Sequence, residues 1–200
     1  MATGWPMQDP EDLNQILDLT GTLLIAMPGM GDPRFDRSVV FMCAHSDDGA
    51  MGLIVNKPAH DMEVGELMAQ LDITPQTRAA KMPVHFGGPV ETTRGFVLHT
   101  DDYRSRLQTL SIAGGFGMTA TLDVLEDLAA GEGPDRALVM LGYAGWGPGQ
   151  LEAEIADNGW LTVNAHADLV FGTGDGGKWM GALKTLGIDP LGLSGAAGRA

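Results

Sequence analysis

Residues 49–58 read GAMGLIVNKP, and the fold follows from how this stretch is read. It leaves a turn, Ser46-Asp47-Asp48-Gly49, runs through apolar Met51 to Val55 and stops at Asn56-Lys57-Pro58. Pro58 has no N–H to give a ladder, so a strand ends there. The preceding segment, residues 38–44 (SVVFMCA), is equally apolar. Two apolar runs joined by Asp-Asp-Gly read as a β-hairpin, and this hairpin is expected at the centre of one mixed α/β domain.

Working outward, residues 23–27 (LLIAM) read as a short buried strand that ends in the rigid loop Pro28-Gly29-Met30-Gly31-Asp32-Pro33. Upstream, Asp9-Pro10-Glu11-Asp12 has the form of a helix start, with Leu13, Ile16 and Leu17 as its apolar stripe. Downstream, Asp61 is expected to cap a helix ending near Leu71, because Val64, Leu67, Met68 and Leu71 recur at helical spacing. Short strands are expected at 84–86, 95–100, 110–112, 116–119, 160–163 and 169–171. Further helices are expected at 122–130, behind Thr121, from Pro148 to about Asn158, and at 175–186 with Trp179, Met180, Leu183 and Leu186 on one face. Residues 137–142 (ALVMLG) have the unbroken apolarity of a strand covered on both sides. The expected organisation is a tail and extra helix over 1–18, a single domain over 19–188 and a tail over 189–200.

Composition narrows the classes. The chain has 200 residues, 44% hydrophobic and 19% charged, which fits a folded globular protein. Its 29 glycines are about twice ordinary usage and argue for many tight turns. With 12 basic and 26 acidic side chains the net charge is −14, a field that repels phosphate backbones and anionic lipid surfaces. Nucleic acid and membranes are therefore disfavoured as partners. A single cysteine excludes a disulfide framework, and no basic-then-apolar leader opens the chain. A cytoplasmic protein is the expectation.

The candidate functional residues are few. Strict alternation along the strand places Cys43 and His45 on one face, where an imidazole could favour the thiolate; the alternative is a buried cysteine acting as a small hydrophobe. Asn56 and Lys57, at the end of an apolar strand, could hold a carboxylate or phosphate, or simply close a turn. Gly87 and Gly88 permit close backbone approach. In the loop expected over 142–149, Tyr143 and Trp146 could stack on a flat ligand or plug the end of a barrel, with Gln150 at the following helix start. Neither glycine loop fits a phosphate-binding or dinucleotide fingerprint. No metal-ligand spacing occurs among the histidines, and no cofactor is called for. Arg37 could pair with Asp32 across the loop as a surface ion pair.

Four stretches, LIAMPGMGDPRF, GAMGLIVNKP, HFGGPV and GYAGWGPGQLEAEI, in this order and spacing, resemble the YqgE/AlgH family of bacterial proteins over residues 19–186. The resemblance implies a cytosolic protein and a branched, mostly antiparallel sheet curled into a partial barrel with helices outside. It supplies no catalytic assignment, and the label of transcriptional regulator that some members carry finds no basic face here to support it. Three functional readings follow: a binding or regulatory protein with a loop-built pocket for a small molecule or protein partner, a thiol enzyme or redox sensor using Cys43 with His45, and a DNA-binding regulator.

Overall fold

The computed structural model describes residues 18–193; the helix expected around Leu13 lies outside them. In chain order the elements are β1 (Thr22–Ala26), β2 (Val39–Ser46), β3 (Gly49–Ile54), β4 (Pro58–Glu63), α1 (Val64–Gln70), β5 (Pro83–Phe86), β6 (Val90–Thr100), β7 (Leu110–Ile112), β8 (Phe116–Thr119), α2 (Asp123–Ala130), β9 (Ala137–Trp146), α3 (Gln150–Ala156), β10 (Trp160–Asn164) and α4 (Asp175–Thr185). The strands form a curled, branched sheet in the order β10-β1-β2-β3-β9-β6-β8-β7, with β4 joined through β5. Among the described residues all pairings are antiparallel except that of β5 with β9.

The β2–β3 hairpin closes as its turn chemistry requires, with Ser46 opposite Gly49 and Val40 opposite Ile54. Both faces of these strands are covered. Leu23, Ile25, Phe41, Leu53, Phe96, Phe116 and Met140 fill the concave side, closed by Trp179, Ala182 and Leu183 of α4. Leu24, Val40, Met42, Ile54, Ala144 and Trp146 pack on the other side against Leu151 of α3 and Trp160. That is why the strands read as continuous apolar runs rather than alternating ones. A third cluster, including Val64, Met68, Val84, Val97, Val124 and Leu128, lies under α1 and α2.

The sheet branches on β9. Val139, Met140 and Leu141 lie between β5 and β6, whereas Ala144, Gly145 and Trp146 pair with β3. At the change of neighbour the connection from β5 to β6 crosses β9 at backbone contact. Gly87 accepts from Ile54 N–H and donates to the Leu141 carbonyl, both at 2.8 Å. A Cβ on Gly88, at φ +157°, would strike the Tyr143 carbonyl group. The glycines of HFGGPV and GYAGWG are thus the two sides of one crossing.

Several local expectations are revised. Residues 142–146 form the second half of β9 rather than a loop, because β3 supplies a ladder partner. Asp61 lies in β4; the N-cap of α1 is Glu63, whose N–H donates to the Glu66 carboxylate at 3.0 Å. Residues 169–171 lie in a π-helical turn, Asp168–Gly172, not a strand. Thr121 does not cap α2 but donates to Asp123 at 2.6 Å. On α4 the buried stripe is Lys178, Trp179, Ala182 and Leu183, while Met180 is 57% and Leu186 37% exposed. Arg34, rather than Arg37, pairs with Asp32.

Candidate functional site

Three of the four quoted motifs meet at a cavity of about 970 Å³. Its walls come from the loop after β1 (Met27 to Phe35), from Pro89 and Val90 entering β6, and from Gly145, Trp146 and Gln150 at the end of β9 and start of α3. Glu154, Asp157 and Trp160 complete it.

The loop after β1 is braced at several points. Met27 N–H donates to the Gly159 carbonyl at 3.0 Å. Asp32 accepts from Arg34 N–H at 3.0 Å and capping it starts the short 3-10 turn Pro33–Phe35. The Arg34 guanidinium forks onto the same carboxylate, with Nη2 at 2.7 Å, and this hydrogen bonding holds the Asp32 carboxyl below its ordinary pKa. Lys57 Nζ donates to the Arg34 carbonyl at 2.6 Å. Burial lowers the Lys57 pKa, opposed by Asp36 and Asp32. Asn56 donates to the Arg37 carbonyl and accepts from Val39 N–H, both at 2.9 Å. Asn56 and Lys57 therefore reach the cavity only through the loop they hold in place.

The opposite wall is organised by Glu154. Its Oε2 accepts from both Trp146 Nε1 at 3.0 Å and Trp160 Nε1 at 2.8 Å. Its Oε1 accepts from Gln150 Nε2 at 2.9 Å, one helical turn earlier on the same face of α3. Gln150 in turn accepts from Gly147 N–H at 3.0 Å. The Trp146 and Trp160 rings stand at 78° with centroids 6.0 Å apart, and Phe35 meets Trp160 edge-on at 5.6 Å. Two indoles locked on one carboxylate give a wall of fixed shape.

The expected site residues divide accordingly. Trp146 and Gln150 line the cavity. Gly87 and Gly88 are buried in the strand crossing. Tyr143 is on the other face of β9, edge-on to Phe96 at 5.9 Å, so it cannot stack with Trp146 on one ligand. Glu154, Trp160, Phe35 and Asp157 were not anticipated. The Gln150–Glu154 spacing is visible in the sequence, but nothing local shows that residues from β9 and β10, with three strands between them in the sheet, share a carboxylate.

Cys43 and His45 do not share a face. The register shifts between Met42 and Ala44, so Cys43 is a bulge residue and the alternation inverts after it. Cys43 packs in the concave core, whereas His45 pairs with Ala50, which packs against the other cluster. Burial pushes the Cys43 thiol up to about 12. His45 Nδ1 accepts from Leu19 N–H at 3.2 Å, which leaves Nε2 to donate to Glu152 at 2.8 Å.

A buried polar group lies behind the hairpin. Lys178, 2% exposed, donates to the Val55 carbonyl at 2.7 Å and to Asp175 at 2.9 Å. His85 Nε2 lies 3.0 Å from the same Asp175 oxygen. Burial opposes ionisation of Asp175, but hydrogen bonds from His85 and Lys178 outweigh it and hold the carboxyl at about 2. No helix among the described residues is long and apolar enough to cross a membrane.

The comparisons agree with this architecture. The AlgH-like family model matches residues 23–191. A UPF0301 protein of Ruegeria pomeroyi is 65% identical over 185 residues, covering 92% of this chain and all of the relative. Another, from Cereibacter sphaeroides, is 57% identical over 184 residues, covering 92% of this chain and all of the relative. The solution structure of the AlgH protein of Pseudomonas aeruginosa is 38% identical and superposes with a TM-score of 0.75 over the full length of both chains. Protein DIP2367 of Corynebacterium diphtheriae, 20% identical, shares the fold at a TM-score of 0.67 over 88% of this chain and 89% of its own. By sequence and by fold, the chain belongs to the AlgH-like family.

Proposed function

We propose that this is a binding or regulatory protein whose loop-built cavity receives a small molecule. The observation that carries this reading is the convergence of three separated motifs on one cavity of about 970 Å³, near the upper end of the range typical for ligand sites. The fourth motif supports it through Lys57 and Asn56, which fix the loop and strand start beside the opening. The polar groups of the wall hold one another in place, as a preorganised binding surface requires. The thiol reading has little support, since Cys43 is 1% exposed and separated from His45 by the bulge. A nucleic-acid role has the −14 charge against it.

The test is a fragment screen read by amide chemical shifts. Hits are expected to move residues of 27–35, 89–90 and 145–160 together. Gly31 lines the cavity with open space where a Cβ would sit, so Gly31→Phe should plug part of the cavity, keep the fold and weaken those shifts. Hits that ignore both this region and the plug would sink the reading.

A further inference from the structure

The chemistry of the cavity narrows its ligand. Among the described residues its wall carries three acids, Asp32, Glu154 and Asp157, and one base, Arg34. Arg34 is committed to Asp32 through Nε at 3.0 and 3.1 Å and Nη2 at 2.7 Å. Among the described residues the donors to Glu154, two indoles and one amide, are neutral; they orient the carboxylate without cancelling its charge. Beside it Phe35, Trp146 and Trp160 line the cavity with apolar ring surface, their rings at 78° and 79° to one another. An aromatic face attracts a cation through its quadrupole.

A bare metal ion does not suit this wall, because among the described residues no three His, Cys, Asp or Glu side chains converge to hold one. Dispersed carboxylates and flat apolar rings suit a large cation with an apolar coat, and the net charge of −14 draws cations toward the molecule. Resting on the reading of this cavity as a binding site, we propose that its ligand is an alkylammonium cation, with the charge met by Glu154 and Asp157 and the alkyl groups seated on the aromatic wall.

The experiment compares choline with 3,3-dimethylbutan-1-ol, its neutral isostere, on the full chain, following the indole N–H resonances of Trp146 and Trp160 and the surrounding amides. Choline should bind about tenfold more tightly than the isostere, and added salt should weaken choline alone. Glu154→Gln keeps an oxygen for both indoles and removes the charge; Asp157→Asn removes an exposed charge and serves if the first variant fails to fold. Each should lower choline affinity several-fold and leave the isostere unchanged. Equal binding of choline and isostere, or no choline shifts while other fragments still bind here, overturns the cation assignment and leaves the pocket standing. If no probe, charged or neutral, moves these resonances, the pocket reading falls with it.

Discussion

Asn56 is a single amide that fixes the start of a core strand. It satisfies Val39 N–H and the Arg37 carbonyl at once, each at 2.9 Å, across 17 and 19 residues of chain. A buried N–H left without its acceptor costs about 1–3 kcal/mol. Asn56→Ala is therefore expected to destabilise the fold by about 2 kcal/mol, read as a lower urea midpoint at unchanged m-value. Asn56→Asp, which keeps the acceptor and loses the donor, should lose less; equal losses would mean that the Val39 bond is not what matters. Cys43 illustrates a different lesson at this scale. Its residue type invites a chemical role, yet its place at a bulge in the concave core makes it a packing residue with a raised pKa.

Among the elements, β9 does the most to shape the molecule. Its first half is clamped between a parallel and an antiparallel neighbour, and its second half turns to β3. That change of partner is possible only where the backbones at Gly88 and Tyr143 can touch. At φ +157° and in contact with a carbonyl group, position 88 has no room for a methyl group. Gly88→Ala should destabilise by well over the roughly 1 kcal/mol that a change of backbone propensity brings. Hydrogen exchange should show the loss first in β3 and the second half of β9. A variant as stable as the parent would mean that the crossing can open without penalty. For α3, Gln150 and Glu154 on one helical face turn the end of β9 and the start of β10 into a single wall.

At the scale of the whole molecule, acidity bears on stability as well as on binding. Asp175 joins α4 to the sheet through Lys178 and His85, and its carboxyl sits at about 2 against an ordinary 3.8. A carboxyl depressed on folding stabilises above the unfolded pKa, and that stability is lost as pH falls through the folded one. The contribution should be full above about pH 5 and lost between about pH 4 and 2, amounting to roughly 1 kcal/mol after solvent screening. Urea unfolding of the parent and Asp175→Asn at pH 5 and pH 2.5 measures it: the gap between them should narrow on acidification. A constant gap would remove Asp175 from the acid response.

The sequence by itself determined what depends on neighbours in the chain. The Asp-Asp-Gly turn and its flanking apolar runs gave the central hairpin, and the runs covered on both sides gave buried strands. The order of strands and helices gave the α/β class, and the four motifs gave the resemblance that implies the partial barrel. The tertiary structure decided whatever depends on pairing between distant segments. β3 turned an apparent glycine loop into strand, and a bulge moved His45 away from Cys43. The curl of the sheet brought Trp146 and Trp160 onto Glu154. The physical reason is that periodicity reports which face of an element is covered, whereas a cavity is set by which elements do the covering.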